Sequence, residues 1–193
     1  MVLAVEPVKL ARRLAARRVG AGTVPVRHIG LDGQAIALAN ASCDAALSTF
    51  TLCTVADPDR VLAELRRVLR SGGRFHFLEH GIAPEPSVAN LQRRIEPWQR
   101  RLADGCHLTR DSLALVGQAG FVVERYEQGY AAGPKPWSYF TVGIAVNHPR
   151  WRCLQLVHHR PWWYPGGYVL SCYLSRMWPD DLGAELSSWL VTL

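Results

Sequence analysis

The residues best suited to chemistry in this chain are two histidines, His80 and His107, two carboxylates, Glu6 and Asp32, and the run Ser48-Thr49-Phe50. Histidine titrates near neutral pH, so either one suits removal of a proton from a thiol or hydroxyl, and the thiolate is the reactive form of a thiol. A turn or packing histidine is the plainer reading of each. Glu6 follows an apolar run and could accept both hydroxyls of a ribose, or could simply open a helix, where its charge suits the dipole. Asp32, directly before Gly33, could accept from an adenine amino group, although Asp-Gly is also ordinary turn chemistry. Cys106 could be a nucleophile, but free cysteines are mostly small buried hydrophobes, and that is the reading adopted. His158-His159, with His148 and Cys153, lack the spacing of a structural zinc site, so no metal is expected.

Such groups need a scaffold, and residues 44–81 describe one half of it. The run Ala45-Ala46-Leu47-Ser48-Thr49-Phe50-Thr51-Leu52 is short and nearly continuous in apolar or β-favouring residues, which predicts a mid-sheet strand buried on both faces. Asp57 is placed to cap the next helix, with Pro58 at its first position. Val61, Leu62, Leu65, Val68 and Leu69 then share a face, leaving Arg60, Glu64, Arg66, Arg67 and Arg70 to solvent. Gly72-Gly73 supplies the helix exit, and Arg74-Phe75-His76-Phe77-Leu78 resumes an extended pattern that ends in Glu79-His80. The unit is β-α-β, with parallel strands.

Before it, residues 1–5 read as a strand and residues 8–18 as a helix with Leu10, Leu14 and Ala11 or Ala15 inward, closed by Gly20-Ala21-Gly22. Residues 24–29 form a weaker strand, since Pro25 suits an edge or a strand start, and a turn follows at 30–33. After it, residues 88–102 and 111–118 are helical, and strands at 121–126 and 139–146 close as a hairpin. Ligands of open α/β sheets bind beyond the carboxyl ends of the strands, which are Glu6, Asp32, Ser48 to Phe50 and Glu79-His80. Beyond Asn147 the composition shifts to a Trp-rich tail.

A chain of 193 residues, 49% hydrophobic and 20% charged, suits one domain with a sizeable core. Its net charge of +6 is carried almost wholly by arginine scattered over helix faces, which favours solvated surfaces over a nucleic-acid partner. A basic nucleic-acid-binding module is the weaker alternative, and it would show steeply salt-dependent binding. The five cysteines are widely spaced, form no C-x-x-C pair and follow no secretory signal, so reduced thiols and a cytoplasmic location are expected. No run approaches the roughly 18 apolar residues of a membrane span. The tail tryptophans suit packing on the domain or peripheral membrane contact, and a homodimer is allowed for.

Taken together, the motifs resemble the class I S-adenosylmethionine-dependent methyltransferases from their second strand onward, over roughly residues 2–146. The most specific part is Leu65-Arg66-Arg67-Val68-Leu69-Arg70-Ser71-Gly72-Gly73-Arg74, similar to the family's R-V-L-x-P-G-G turn with Ser71 in place of proline. Leu52-Cys53-Thr54-Val55, Phe77-Leu78-Glu79-His80 and Asp104-Gly105-Cys106-His107-Leu108-Thr109-Arg110 look like the ubiquinone-biosynthesis and alkyl-thiol branch. The resemblance implies S-adenosylmethionine as cofactor, with Glu6 on its ribose, Asp32 and Gly33 on adenine, and Ser48, Thr49 and Phe50 along its methionine side. It implies a small-molecule acceptor, a thiol, hydroxyl or similar, with His80 and His107 as the candidate bases.

The implied fold is α/β, a Rossmann-like mostly parallel sheet with a C-terminal antiparallel hairpin. It divides into a partial methyltransferase domain at 1–147 and a Trp-rich extension at 148–193. It is incomplete at the N-terminus, because the family's first strand and its E/D-x-G-x-G-x-G loop have no counterpart; Gly20-Ala21-Gly22 follows a helix, not a strand. In the family's sheet that strand lies between the second and fourth, and its loss leaves buried ladder groups unpaired at roughly 1–3 kcal/mol each. A truncated, non-catalytic remnant that does not bind cofactor is therefore the alternative reading.

Overall fold

The computed structural model describes residues 1–30 and 32–148. Its elements run β1 (Val2–Val5), α1 (Lys9–Ala21), β2 (Val26–Gly30), β3 (Cys43–Thr49), α2 (Pro58–Val68), β4 (Leu69–His80), α3 (Pro86–Leu102), α4 (Ser112–Gln118), β5 (Val122–Tyr130), α5 (Lys135–Ser138) and β6 (Tyr139–Val146). The expected tail lies outside the described residues, apart from His148.

The β3-α2-β4 unit forms as its sequence dictates. Asp57 accepts from the Arg60 amide at 3.0 Å and Pro58 occupies the first turn, so the helix starts where its orphan N–H groups are satisfied. Val61 and Leu62 turn inward onto Leu52, Leu69, Phe75 and Phe77, and Val116, Phe121 and Ala145 complete one core. β3 pairs parallel to β4, from Ala45 opposite Arg74 to Thr49 opposite Leu78. β6 runs antiparallel to both β4 and β5, giving the order β3-β4-β6-β5. The α/β class and the closing hairpin are as expected, and β5 extends beyond residue 126 because β6 pairs with it as far as Tyr130.

Three expectations are corrected. First, β3 is not mid-sheet: among the described residues it is an edge, and Leu47 is 64% exposed. β1 and β2 form a separate parallel pair, so no strand among the described residues hydrogen-bonds to the other side of β3. Second, Leu10 and Leu14 of α1 face outward at 63% and 71% exposure, and the helix buries no residue. A two-stranded sheet is too small to cover its apolar face. Third, Gly72-Gly73 is not a simple helix exit. β4 already begins at Leu69, and its pairing jumps from Cys43–Leu69 to Ala45–Arg74. The intervening bulge needs Gly72 at φ 76, and a Cβ on Gly73 would sit 2.9 Å from the Arg70 carbonyl. Asn147 closes this corner by donating Nδ2 to the Leu69 carbonyl at 2.8 Å and the Arg66 carbonyl at 3.0 Å, satisfying acceptors that α2 leaves open.

Candidate functional site

Ser48-Thr49-Phe50 and His80 end the neighbouring strands β3 and β4, and a buried carboxylate organises the turn between them. Phe75, Phe77 and Glu79 share one face of β4 by strict alternation, so Glu79 is driven into the core beside two phenylalanines and is fully buried. Three donors make that tolerable: the Ser48 hydroxyl at 2.8 Å, the Thr51 amide at 3.1 Å and the Cys53 amide at 3.1 Å. Burial raises the Glu79 pKa, against hydrogen bonds from Leu52, Ser48, Cys53 and Thr51 that lower it. The outcome is a fixed turn after β3. Arg110 fastens the same turn from the loop before α4, donating Nη1 to the Leu52 carbonyl at 2.6 Å and the Val55 carbonyl at 2.7 Å. The His107 amide adds a bond to the Cys53 carbonyl at 2.7 Å.

Phe50 sits where β3 enters this turn, at φ 50, a conformation uncommon for a side-chain-bearing residue, and its ring is 42% exposed. The ring lies 5.1 Å from that of His80, which also stacks at 4.8 Å on Phe140. His80 is thereby oriented with Nδ1 3.5 Å from Cys106 Sγ and 3.9 Å from Cys53 Sγ. The two sulfurs are 3.7 Å apart. Within this pair the hydrogen bond lowers the Cys106 pKa, while the same bond and then burial push the Cys53 thiol up. His107 has a different setting. Its Nδ1 is 3.1 Å from Glu96 Oε1, and Glu96 Oε2 accepts from the Thr109 amide at 2.9 Å. Burial works to raise the Glu96 pKa, but the bonds from Thr109 and His107 outweigh it and hold the carboxyl low.

Glu6 and Asp32 lie at the ends of β1 and β2, where they were expected. Each spends one oxygen locally: Glu6 Oε1 accepts from the Val8 amide at 2.8 Å, and Asp32 Oδ1 from the Gln34 amide at 2.8 Å. Gly33 packs toward Val61 of α2, which would lie 3.7 Å from an added Cβ. The Ser48 hydroxyl is committed to Glu79, and Thr49 offers its carbonyl to the Thr51 hydroxyl at 3.1 Å. The sequence names Glu79 as a strand end and holds Cys53 and Arg110 within motifs, but assigns none of them a role, and it does not single out Glu96. Alternation along β4 is a signal for the burial of Glu79; the contacts of the other three are encoded by no local pattern.

A family profile described as "Methyltransferase domain" matches residues 1–77. Thiol S-methyltransferase TMT1B of Rattus norvegicus is 39% identical over 107 residues, 55% of this chain and 42% of that protein. Demethylmenaquinone methyltransferase of Thermobifida fusca is 30% identical over 150 residues, 72% of this chain and 61% of that protein. The chain thus spans less than two thirds of the length of these curated relatives. A SAM-dependent methyltransferase from Methanosarcina mazei matches with a TM-score of 0.59 and 17% identity over 76% of this chain and 82% of that one, a likeness of fold. S-adenosylmethionine is the cofactor that the profile and the homologues support. The fold is that of the class I S-adenosylmethionine-dependent methyltransferases, and the sequence is homologous to both their thiol-type and their ubiquinone-type branches.

Proposed function

We propose that this chain belongs to a methyltransferase that uses S-adenosylmethionine to methylate a small thiol or hydroxyl acceptor, thiols being the acceptor class that the rat relative's name carries. The observation that carries the reading is the turn after β3, held by Glu79 and Arg110 where Ser48-Thr49-Phe50 ends its strand, with Glu6 and Asp32 following β1 and β2. The side chains fit the cofactor chemically, with the carboxylates of Glu6 and Asp32 for ribose hydroxyls and the adenine amine, and the exposed Phe50 ring for its apolar portion. When bound, the cofactor would supply an electrophilic methyl group on a sulfonium, whose sulfur would leave as a neutral thioether as the acceptor takes the methyl. The chain's own contribution is alignment and proton removal. Of the two histidines, His107 has the geometry of a base: with Nδ1 donating to Glu96, its Nε2 is left as the acceptor for the proton of the attacking thiol or hydroxyl. His80 faces the two cysteine thiols instead.

The separation of β1–β2 from β3–β4–β6–β5 favours a second reading, in which a strand bearing the glycine-rich loop belongs between β1 and β3 and the 193 residues alone are a non-catalytic remnant. Titration calorimetry with S-adenosylhomocysteine decides between them. Saturable heat with one site per chain supports the enzyme reading, whereas no heat at millimolar ligand sinks it for this chain and leaves the remnant. If the chain turns over, His107→Gln is expected to lower kcat with little change in the KM for cofactor.

A further inference from the structure

Cys53, His80 and Cys106 come from three different segments: the turn after β3, the end of β4 and the loop after α3. Their Sγ, Nδ1 and Sγ atoms nevertheless converge, with separations of 3.7 Å between the sulfurs and 3.5 and 3.9 Å from nitrogen to sulfur. A thiol is a weak donor, so hydrogen bonding alone rewards this convergence little. A tetrahedral ion with metal–sulfur bonds near 2.3 Å and metal–nitrogen bonds near 2.0–2.1 Å spaces its donors by about 3.8 Å between sulfurs and about 3.6 Å from sulfur to nitrogen. The three measured edges lie within a few tenths of an ångström of that triangle.

We infer that Cys53, Cys106 and His80 Nδ1 bind one zinc-class divalent cation, leaving a fourth position for an exchangeable ligand. Two thiolates and a neutral imidazole cancel the charge of the dication, which suits a site whose cysteines are 1% and 6% exposed. The supports are of the kind that hold ligands in register. The Cys53 amide is fixed by Glu79, its carbonyl by the His107 amide, the Cys106 amide by the Ala103 carbonyl at 2.9 Å, and the His80 ring by Phe50 and Phe140. Soft thiolates beside imidazole select zinc over magnesium or calcium, which prefer oxygen. The ion would tie the turn after β3 to the loop before α4.

The test uses the full chain, reduced, metal-stripped and kept anaerobic, titrated with cobalt(II) chloride. One equivalent should develop a thiolate-to-cobalt charge-transfer band and the intense visible bands of a tetrahedral ion, and zinc should then bleach both. Cys43→Ser should keep the bands and the double variant Cys53→Ser/Cys106→Ser should lose them. In case the double variant fails to fold, zinc-edge X-ray absorption of the native chain is expected to show two sulfurs and at least one nitrogen in the first shell. The proposal is overturned by an absence of bands at stoichiometric cobalt, by bands that survive the double variant, or by a zinc shell without sulfur. It is equally overturned if reduction of a Cys53–Cys106 disulfide yields a chain that takes up no metal. Neither cofactor nor acceptor enters these readouts, so their failure leaves the methyltransferase reading standing, and the calorimetric failure of that reading leaves this one.

Discussion

Glu79 is a carboxylate without solvent, and its worth lies in the donors that depend on it. Replacing it with alanine strands the Ser48 hydroxyl and the amides of Thr51 and Cys53 in the interior, at about 1–3 kcal/mol each. Glu79→Ala is therefore expected to lose about 3 kcal/mol or more in urea unfolding. Ser48→Ala, which leaves Glu79 with its amide donors, should cost only about 1 kcal/mol. The reverse order would show that Glu79 does not hold the turn. At the same scale, Glu6 and Asp32 were readable as strand-end carboxylates, because Glu6 directly follows an apolar run and Asp32 lies in the glycine turn that follows the next strand. The convergence of Cys53, His80 and Cys106 was not readable. Their separations along the chain are set by the intervening helices, and no short motif links them.

α2 does two jobs, one on each face. Its apolar face enters the core, and its polar face holds residues 34–40, the stretch that follows Asp32 and Gly33. Glu64 Oε2 accepts from the Ile36 amide at 2.9 Å, while Arg67 reaches the Ile36 and Leu38 carbonyls, both at 2.7 Å. Hydrogen bonds from Arg67, opposed by a little burial and helped by the Ile36 amide, lower the Glu64 pKa from 4.5 to about 2. A carboxyl depressed in the folded state contributes stability above its unfolded pKa and loses it as pH falls through the folded one. The contribution should therefore fade between pH 4.5 and about 2. Glu64→Gln is expected to flatten the dependence of Tm on pH in that window and to speed amide exchange at Ile36. Unchanged slopes would deny the clamp.

The pairing of β4 with β6 makes a second demand at this scale. A Cβ on Gly143 would lie 2.3 Å from the Phe77 ring, which is 1% exposed and cannot withdraw. Gly143→Ala should destabilise by about 1–3 kcal/mol in the same urea assay, as overpacking does. Helix positions, caps and the closing hairpin were legible because they rest on local spacing. The β4 bulge was read as a helix exit because its pairing is decided by Cys43 on another strand.

For the molecule as a whole, the sheet is in two parts. β4 and β6 lie inside a four-stranded sheet over one core, whereas β1, α1 and β2 contribute no fully buried residue. Local stability follows burial, so amides of β1 and β2 should exchange with deuterium far faster than those in the centres of β4 and β6. Saturation with S-adenosylhomocysteine, if it binds, should narrow the gap, since Glu6 and Asp32 belong to the weaker part. Equal protection across both parts before ligand is added would contradict this division.

What the sequence determined by itself was the succession of elements, their caps, the buried face of α2 and the strand ends where a ligand would lie. All of these follow from period, turn chemistry and residues a few positions apart. Only the tertiary structure decided that β3 is an edge, that the apolar face of α1 stays uncovered, that Glu79 rather than Ser48 governs the turn, and that two thiols and an imidazole meet. The reason is common to all four. Each depends on which distant segments lie side by side, and side-by-side placement is fixed by hydrogen bonding and packing across the sheet, on which local spacing is silent.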